Sequence, residues 1–295
     1  MYQQTIAEKV SCSGVGLHSG APVHLTLHPA RAGSGLVFVR TDLADPIEIP
    51  ARAGQVSSTA YATTLGPRLA SVGTVEHLLA ALYGLGIDNA RIELDGPELP
   101  VMDGSAATFV YLLRSAGVFR QRELRRVIEV TRPVEVRDGR RHISVAPSAN
   151  FDVSYAVDFE HPSICRQEIS LQPLDADVFE REIAGARTFG FLSDVHALWD
   201  AGLAKGGSLG NAVVLDPTRV INPEGLRWKD EFVRHKVLDL LGDLALMGVR
   251  LQGHVRVERG GHALHQKLVR AIVADRNAWT LSVPAAAPDL TRVAA

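Results

Sequence analysis

The apolar residues of this chain switch repeatedly between the period-two spacing of a strand and the 3.6-residue spacing of a helix. Apolar and polar residues alternate at 23–27, and 36–39 and 90–94 also have strand character. Helical spacing follows at 75–82 and again at 106–113. The pattern predicts a mixed fold in which helices interrupt the strands.

A charged run at 120–126 divides this pattern into two similar halves. The run has no evident buried face, so we predict a domain boundary there. A second cycle of elements follows it, with strands predicted at 127–130, 143–146 and 153–157 and helices near Ala197 and at 232–246. We therefore predict two domains, residues 1–122 and 126–283, followed by a loose tail rich in Ala and Pro at 284–295.

Charge and cysteine content exclude several classes of protein. A net charge of -2 gives no broad basic field, which argues against a nucleic-acid partner. The chain has two cysteines and no CxxC pair, so it encodes neither a disulfide framework nor a thiolate zinc site. Any metal centre must therefore use His and carboxylate ligands.

The N-terminal residues do not resemble a signal peptide, because Glu8 and Lys9 stand where its apolar stretch would be. The longest apolar run, at 78–87, is too short to span a bilayer. We expect a cytoplasmic protein without an integral membrane segment.

The spacing of the histidines separates candidate metal ligands from the others. His24 and His28 lie in a strand pattern, where four residues span about 13 Å, too far to share one ion. His235 and Asp239 lie in a helical pattern, where residues four apart stand side by side. The two side chains either chelate a metal or simply pair with each other, and spacing alone leaves both alternatives open.

A third candidate ligand lies in the dipeptide Glu76-His77, near the start of an apolar helix. Adjacent residues point about 100° apart on a helix, so one side chain could bind a metal while the other reaches water beside it. A polar edge on a core helix would have the same sequence, and the dipeptide alone does not distinguish the two.

Seven segments in order resemble one known family. They are GVGLHSG at 14–20, TVEHL at 74–78, GIDN at 86–89, PVMDGSA at 100–106, ARTFG at 186–190, DEFVRHK at 230–236 and GHAL at 261–264. Together they closely resemble the UDP-3-O-acyl-N-acetylglucosamine deacetylases, zinc amidases of lipid A and lipopolysaccharide biosynthesis in Gram-negative bacteria. The resemblance runs from about residue 4 to about residue 273, nearly the whole chain.

The resemblance implies an α+β fold of two similar sheet-plus-helix domains, with the active site between them. The first domain would supply Glu76 and His77, and the second the remaining catalytic groups. A small β-α-β insert in the second domain, at about 191–214, would form an apolar passage for the acyl chain of the substrate. The implied partner is a UDP-linked acylated amino sugar, and we expect the protein to be a monomer.

Roles for individual residues follow from the same resemblance. Three residues match zinc ligands, namely His77, His235 and Asp239. Four match catalytic groups, namely Glu76 as general base, His262 as general acid, Asp243 as the carboxylate that orients this acid, and Thr188 as stabiliser of the oxyanion. Six match the substrate site, namely His18, Phe189, Phe191, Gly207, Lys236 and Arg259.

Three positions depart from the family pattern. Arg259 replaces a common Lys and could still bind phosphate, while Thr64 stands where some members have Cys. His265 replaces a common Asn, and we expect it, nearly one turn beyond His262, to reach the substrate phosphate. His254 alternates with Val255 in a strand pattern, which predicts a surface residue.

Two other functions remain open from the sequence. A metal hydrolase of the same fold could act on a different acylated amino sugar. A protein could also bind the nucleotide sugar or its acyl chain without turnover, although such a protein would need no base and acid beside a metal.

Overall fold

The structure is a computed structural model that describes residues 1–283. The tail predicted to be loose, 284–295, lies outside the described residues. None of the helices within 1–283 is both long and apolar enough to cross a bilayer.

The described chain contains six α-helices, two short helical turns and eighteen strands, arranged as an α+β fold. The strands are β1 Tyr2–Ile6, β2 Val10–Val15, β3 Pro22–Pro29, β4 Leu36–Arg40, β5 Ile47–Pro50, β6 Val56–Ser58, β7 Thr64–Leu65, β8 Ala90–Leu94, β9 Val118–Leu124, β10 Val127–Val130, β11 Val134–Asp138, β12 Arg141–Ala146, β13 Phe151–Asp158, β14 Arg166–Leu171, β15 Phe189–Phe191, β16 Val213–Leu215, β17 Arg250–Glu258 and β18 Trp279–Ser282. The helices are α1 Glu76–Gly84, α2 Ala107–Ala116, α3 Ala176–Val178, α4 Leu192–Asp200, α5 Glu231–Ala245 and α6 His262–Ala274, with a 3₁₀ turn at Ala53–Gln55 and a π turn at Phe179–Ile183.

Two sheets form the framework of the fold. Five strands of the first half make a sheet in the order β2-β3-β8-β4-β5, and seven strands of the second half, β10 to β14 with β17 and β18, make a sheet in which β17 is central. The pairs β1-β9, β6-β7 and β15-β16 form separate two-stranded sheets. In the second sheet β17 pairs antiparallel with β12 and parallel with β13 and β10. The predicted mixture of sheets and helices is confirmed.

Helices α1 and α5 pack against each other in the core. Every residue of α1 is buried, which fits a helix that is apolar on most of its surface. The close approach depends on Gly242 of α5, because a Cβ atom there would lie 2.1 Å from the carbonyl oxygen of Glu76. A glycine at this crossing therefore brings the N-terminal turn of α1 against the last turn of α5.

The charged run at 120–126 has regular structure in its first part. Residues up to Leu124 belong to β9, which pairs antiparallel with β1 in a two-stranded sheet. Most side chains of β9 are exposed, so the sequence lacks the one-sided apolar pattern that usually marks a strand. The division of the chain into two domains at this run stays a prediction.

A β-α-β unit occupies the position of the predicted insert. Strands β15 and β16 pair parallel, and α4 forms the crossover between them. The unit extends slightly beyond the predicted range of 191–214 at both ends, from Phe189 to Leu215.

Candidate metal centre and active site

Two of the predicted metal ligands meet on one face of α5. His235 Nε2 lies 3.3 Å from Asp239 Oδ1, and both side chains are buried. The other ring nitrogen of His235, Nδ1, donates a hydrogen bond to the carbonyl oxygen of Ala186 at 3.0 Å, so Nε2 carries the lone pair. Burial lowers the pKa of His235, which keeps the ring neutral. Two electron-rich atoms thus face each other at a separation that suits a shared cation.

The third predicted ligand comes from α1. His77 Nε2 lies 3.8 Å from Asp239 Oδ1, and the rings of His77 and His235 meet edge to face with centroids 5.1 Å apart. Burial, reinforced by the neighbouring His235, lowers the pKa of His77 to about 3. Neutral imidazole is the form of histidine that binds metals.

These three residues fit a zinc ion. Ligand atoms at 2.0–2.2 Å from a tetrahedral zinc ion are separated by about 3.3–3.6 Å, close to the two distances given above. The buried Nδ1 atom of His77 has no hydrogen-bond partner among residues 1–283, so no protein hydrogen bond at this atom holds the ring in another orientation. Two imidazoles and one carboxylate are a common ligand set of catalytic zinc.

A second cluster of His and Asp lies beside this centre, but it is held by hydrogen bonds. Asp243 Oδ2 lies 2.8 Å from His262 Nδ1 and 2.8 Å from His265 Nδ1. These are donor–acceptor distances, shorter than the separation of atoms that bind one zinc ion. The metal centre is therefore the cluster of His77, His235 and Asp239.

Glu76 and His262 border the metal centre and face each other. Glu76 Oε1 lies 3.8 Å from His262 Nε2, and the same nitrogen is 4.0 Å from Asp239 Oδ2. The second carboxylate oxygen of Glu76, Oε2, accepts a hydrogen bond from the backbone N–H of Thr63 at 3.0 Å. Glu76 Oε1 and His262 Nε2 are therefore both directed at the space beside the metal centre.

The surroundings of Glu76 and His262 raise the pKa of both side chains. Burial raises the pKa of Glu76 to about 7, although the nearby His262 acts in the opposite direction. Burial alone would lower the pKa of His262, but the carboxylates of Asp243, Asp239 and Glu76 outweigh it and raise the value to about 10. At neutral pH the first group is poised to accept a proton and the second to donate one.

A largely apolar cleft of about 470 Å³ opens beside the β-α-β unit. Five predicted site residues line it, namely His18, Thr188, Phe189, Phe191 and Gly207. The apolar remainder of its wall includes Leu17, Tyr61, Val195, Leu198, Trp199, Leu209, Ala212 and Val214. Such a wall suits a hydrocarbon chain.

Lys236 connects the cleft with the metal centre. Its Nζ atom donates a hydrogen bond to Asp239 Oδ2 at 2.8 Å and lies 5.2 Å from the ring centroid of Phe189, which lines the cleft. An apolar chain in the cleft would therefore end close to the candidate metal ligands His77, His235 and Asp239.

Comparison with known proteins agrees with this geometry. Residues 3–274 match the family described as UDP-3-O-acyl N-acetylglycosamine deacetylase. A UDP-3-O-acyl-N-acetylglucosamine deacetylase of Myxococcus xanthus is 53% identical over 283 residues, which cover 96% of this chain and 90% of that protein. Proteins of the same name from an Anaeromyxobacter species and from Shewanella loihica are 52% and 47% identical and cover 92% and 95% of this chain and 89% and 92% of their own length.

The chain belongs to the UDP-3-O-acyl N-acetylglycosamine deacetylase family. This deacetylase family consists of metalloenzymes, and the His77, His235 and Asp239 cluster is the candidate metal site of this member.

Two positions where this deacetylase departs from the expected pattern have clear contacts. Arg259 forms an ion pair with Asp158 at the end of β13. His265 is completely buried, donates to Asp243 through Nδ1, and its Nε2 lies 3.0 Å from the hydroxyl of Tyr155. The expectation that His265 reaches the substrate phosphate is wrong, because its position on α6 points into the core.

Several residues that complete the site were missed from the sequence. Asp243 Oδ1 accepts hydrogen bonds from the Thr63 hydroxyl at 2.7 Å and from Gln266 Nε2 at 3.0 Å. Glu98 accepts from the backbone N–H of His18 and from the Thr74 hydroxyl. Thr74 opens the segment TVEHL and Gln266 lies on the same helix as His262, so both stand close to predicted site residues. Thr63 and Glu98 carry no such signal, because their partners are remote in sequence.

Proposed function

We propose that this chain hydrolyses the acetamide of UDP-3-O-(hydroxyacyl)-N-acetylglucosamine. The products are acetate and UDP-3-O-(hydroxyacyl)-glucosamine, an early intermediate of lipid A in Gram-negative bacteria. The observation that carries the proposal is the placement of Glu76 and His262 at the His77–His235–Asp239 cluster, beside an apolar cleft. We further propose that the enzyme acts as a monomer in the cytoplasm.

We propose zinc as the metal, held by His77, His235 and Asp239. A zinc ion there would supply a Lewis acid that polarises the acetamide carbonyl and lowers the pKa of water. The protein keeps the two histidines neutral by burial, as ligation requires.

Glu76 is proposed as the general base. Its Oε2 atom is held by the Thr63 N–H, which leaves Oε1 to take a proton from the attacking water. The hydroxide part of that water forms a bond to the carbonyl carbon, and the carbonyl π electrons move to oxygen. Thr188, which lines the cleft, is proposed to stabilise this oxyanion.

His262 is proposed as the general acid. When the tetrahedral intermediate collapses, an electron pair of the oxyanion re-forms the carbonyl of acetate, the carbon–nitrogen bond breaks with its electron pair on nitrogen, and the nitrogen takes a proton from His262 Nε2. Asp243 accepts a hydrogen bond from the Nδ1–H group of His262, and this bond fixes the ring and favours its cationic form. An amide nitrogen leaves poorly as an anion, so this protonation completes the reaction.

The remaining site residues are proposed to bind substrate. His18, Phe189, Phe191 and Gly207 line the cleft that would take the acyl chain, and both ring nitrogens of His18 are buried without a hydrogen-bond partner in the described chain. Lys236 and Arg259 are proposed to contact polar groups of the nucleotide sugar.

Acetate release tests the proposed substrate. The enzyme is incubated with UDP-3-O-(hydroxyacyl)-N-acetylglucosamine and, as a matched control, with UDP-N-acetylglucosamine. The proposal predicts acetate from the first compound and a much slower reaction with the second. Equal rates would point to a hydrolase of another amino sugar, and no acetate from either would point to a binding protein.

Loss of a metal ligand is expected to remove zinc. His77→Ala and His235→Ala each delete one of three protein ligands, so elemental analysis should find far less than the wild-type metal content in either variant. The control is His254→Ala, because His254 bonds to Ser154 on the sheet and lies outside the metal cluster. Undiminished zinc in either ligand variant would refute the assignment.

A bulky side chain in the cleft is expected to change the preference for acyl length. Gly207 lines the cleft, and a Cβ there would meet the carbonyl oxygen of Ala204 at 3.2 Å and Leu17 at 3.8 Å, so the backbone at Ala204 must shift slightly. Gly207→Phe should therefore raise KM for long-chain substrates by about tenfold or more, the worth of a lost apolar contact of about 1.4 kcal/mol, while zinc content is retained. The same ratio of KM values for long and short chains in variant and wild type would show that the chain binds elsewhere.

A further inference from the structure

Thr63 contacts two carboxylates that belong to different helices. It is completely buried just before β7, its backbone N–H donates to Glu76 Oε2 of α1 at 3.0 Å, and its hydroxyl donates to Asp243 Oδ1 of α5 at 2.7 Å. The carbonyl oxygen of Thr63 also accepts the backbone N–H of Val75, immediately before α1. One residue thus ties the start of α1 to the last turn of α5.

The Thr63 hydroxyl completes the hydrogen bonding of Asp243. Oδ2 accepts from His262 and His265, and Oδ1 accepts from Thr63 and Gln266. An ionised carboxylate offers about four lone-pair sites, so all of them are used. The two bonds to Oδ1 prevent rotation of the carboxylate and keep Oδ2 aimed at the His262 ring.

The backbone N–H of Thr63 restricts Glu76 in the same way. Because it occupies Oε2, the other oxygen is left facing His262 Nε2 at 3.8 Å. Base and acid therefore take their relative position from contacts to the same buried residue. Catalytic groups must be held within a fraction of an ångström of their productive geometry, since small displacements cost large factors in rate.

We propose that Thr63 is a positioning residue that sets Glu76 and the Asp243–His262 pair against each other. It belongs neither to the metal cluster nor to the lining of the apolar cleft, and its two side-chain and backbone donors bond to Glu76 and Asp243, so its effect passes through these carboxylates. This inference rests on the proposed function, because it assigns Thr63 to the alignment of the proposed base and acid.

Replacement of Thr63 by valine or serine separates positioning from packing. Thr63→Val keeps the shape and the backbone N–H but removes the hydroxyl, whereas Thr63→Ser keeps the hydroxyl and removes a methyl group. We expect Thr63→Val to lower kcat for acetate release by about 10- to 100-fold, the rate equivalent of one hydrogen bond to a charged group, with KM and zinc content near wild type. Thr63→Ser should restore most of kcat.

The adjacent Thr64 provides the matched control. Within the described chain its hydroxyl donates to neither carboxylate, so Thr64→Val should leave kcat near wild type. If Thr63→Val fails to fold, as thermal melting would show, Thr63→Cys replaces it, because a thiol is a weak donor of similar size. The kcat of Thr63→Cys should then be measurable but lower than that of Thr63→Ser and of the wild type.

Each outcome separates this inference from the proposed function. Wild-type kcat in folded Thr63→Val, or equal kcat in Thr63→Ser and Thr63→Cys, would overturn the positioning role and leave the proposed function standing. A wild-type enzyme that releases no acetate would overturn the proposed function itself. A fall in zinc content or a rise in KM that accounts for the whole loss would also overturn the inference, since Thr63 would then act on binding.

Discussion

His262→Ala is expected to lower kcat by about 10²- to 10⁴-fold while zinc content stays at the wild-type level. The ring is the proposed proton donor to the leaving nitrogen, and it lies between Asp243 and Glu76, with Nδ1 2.8 Å from Asp243 Oδ2 and Nε2 3.8 Å from Glu76 Oε1. The rate of acetate release gives kcat, and elemental analysis of the same protein sample gives the zinc content.

The pH profile identifies the step that His262→Ala affects. The carboxylates around His262 raise the pKa of its ring to about 10, so the ring is protonated at neutral pH and loses its proton as the pH rises. A nearby cation lowers this pKa, so the loss of the proton is expected below pH 10 when metal is bound. Turnover should therefore fall on the alkaline side in the wild type, and His262→Ala should lack this limb. Asp243→Ala should also lower turnover, and its effect should appear in the same alkaline limb of the pH profile. An alkaline limb that persists in His262→Ala would mean that another group is the acid.

Replacement of Glu76 is expected to produce the second large loss. Glu76→Ala should retain zinc and lose about 10²- to 10⁴-fold in kcat, the usual contribution of a positioned general base. Glu76→Gln is the sharper variant, because the amide keeps an oxygen for the Thr63 N–H but takes no proton from water. Both variants are compared with the wild type for acetate release and metal content.

The acidic side of the pH profile reports on Glu76. Burial raises the pKa of this carboxyl to about 7, and a base must be deprotonated to act, so wild-type turnover should rise as the pH increases through this range. A nearby cation lowers the pKa, so the limb is expected at or below pH 7 when metal is bound. Near-normal turnover in Glu76→Gln, with the acidic limb intact, would remove Glu76 from the chemistry.

The helical part of the site was predictable from local pattern. His235 and Asp239 are four residues apart in a segment whose apolar spacing is helical, and a helix necessarily brings such residues together. The choice between a metal ligand and a simple ion pair was not predictable from spacing, because it depends on His77 from another helix. That contact exists only because Gly242 lets the two helices approach closely.

The hydrogen-bonded surroundings of the site were not predictable. Thr63 and Tyr155 reach the site from segments about 180 and 110 residues away from their partners, and nothing in their own sequence context marks them. His265 was expected at the substrate because it lies nearly one turn beyond His262 in the predicted helix. Its burial depends on which side of α6 faces Asp243, and that is set by tertiary packing.

Strand β9 is exposed, and the sequence pattern did not predict it. A strand with polar residues on both faces has no period-two apolar signal, so its charged segment at 120–126 gave no strand signal. Its pairing partner β1 lies more than a hundred residues earlier, and the register between them is a long-range property. Strand β8, by contrast, has the predicted bounds, 90–94, and its side chains alternate between buried and half-buried.

Metal content measured alongside acetate release tests the central claim most directly. The wild-type enzyme is assayed on UDP-3-O-(hydroxyacyl)-N-acetylglucosamine as purified, after removal of metal by a chelator, and after zinc is returned. We predict about one zinc ion per chain, loss of acetate release on removal and recovery when about one equivalent of zinc is restored. Full acetate release by protein that contains no detectable metal would contradict the account.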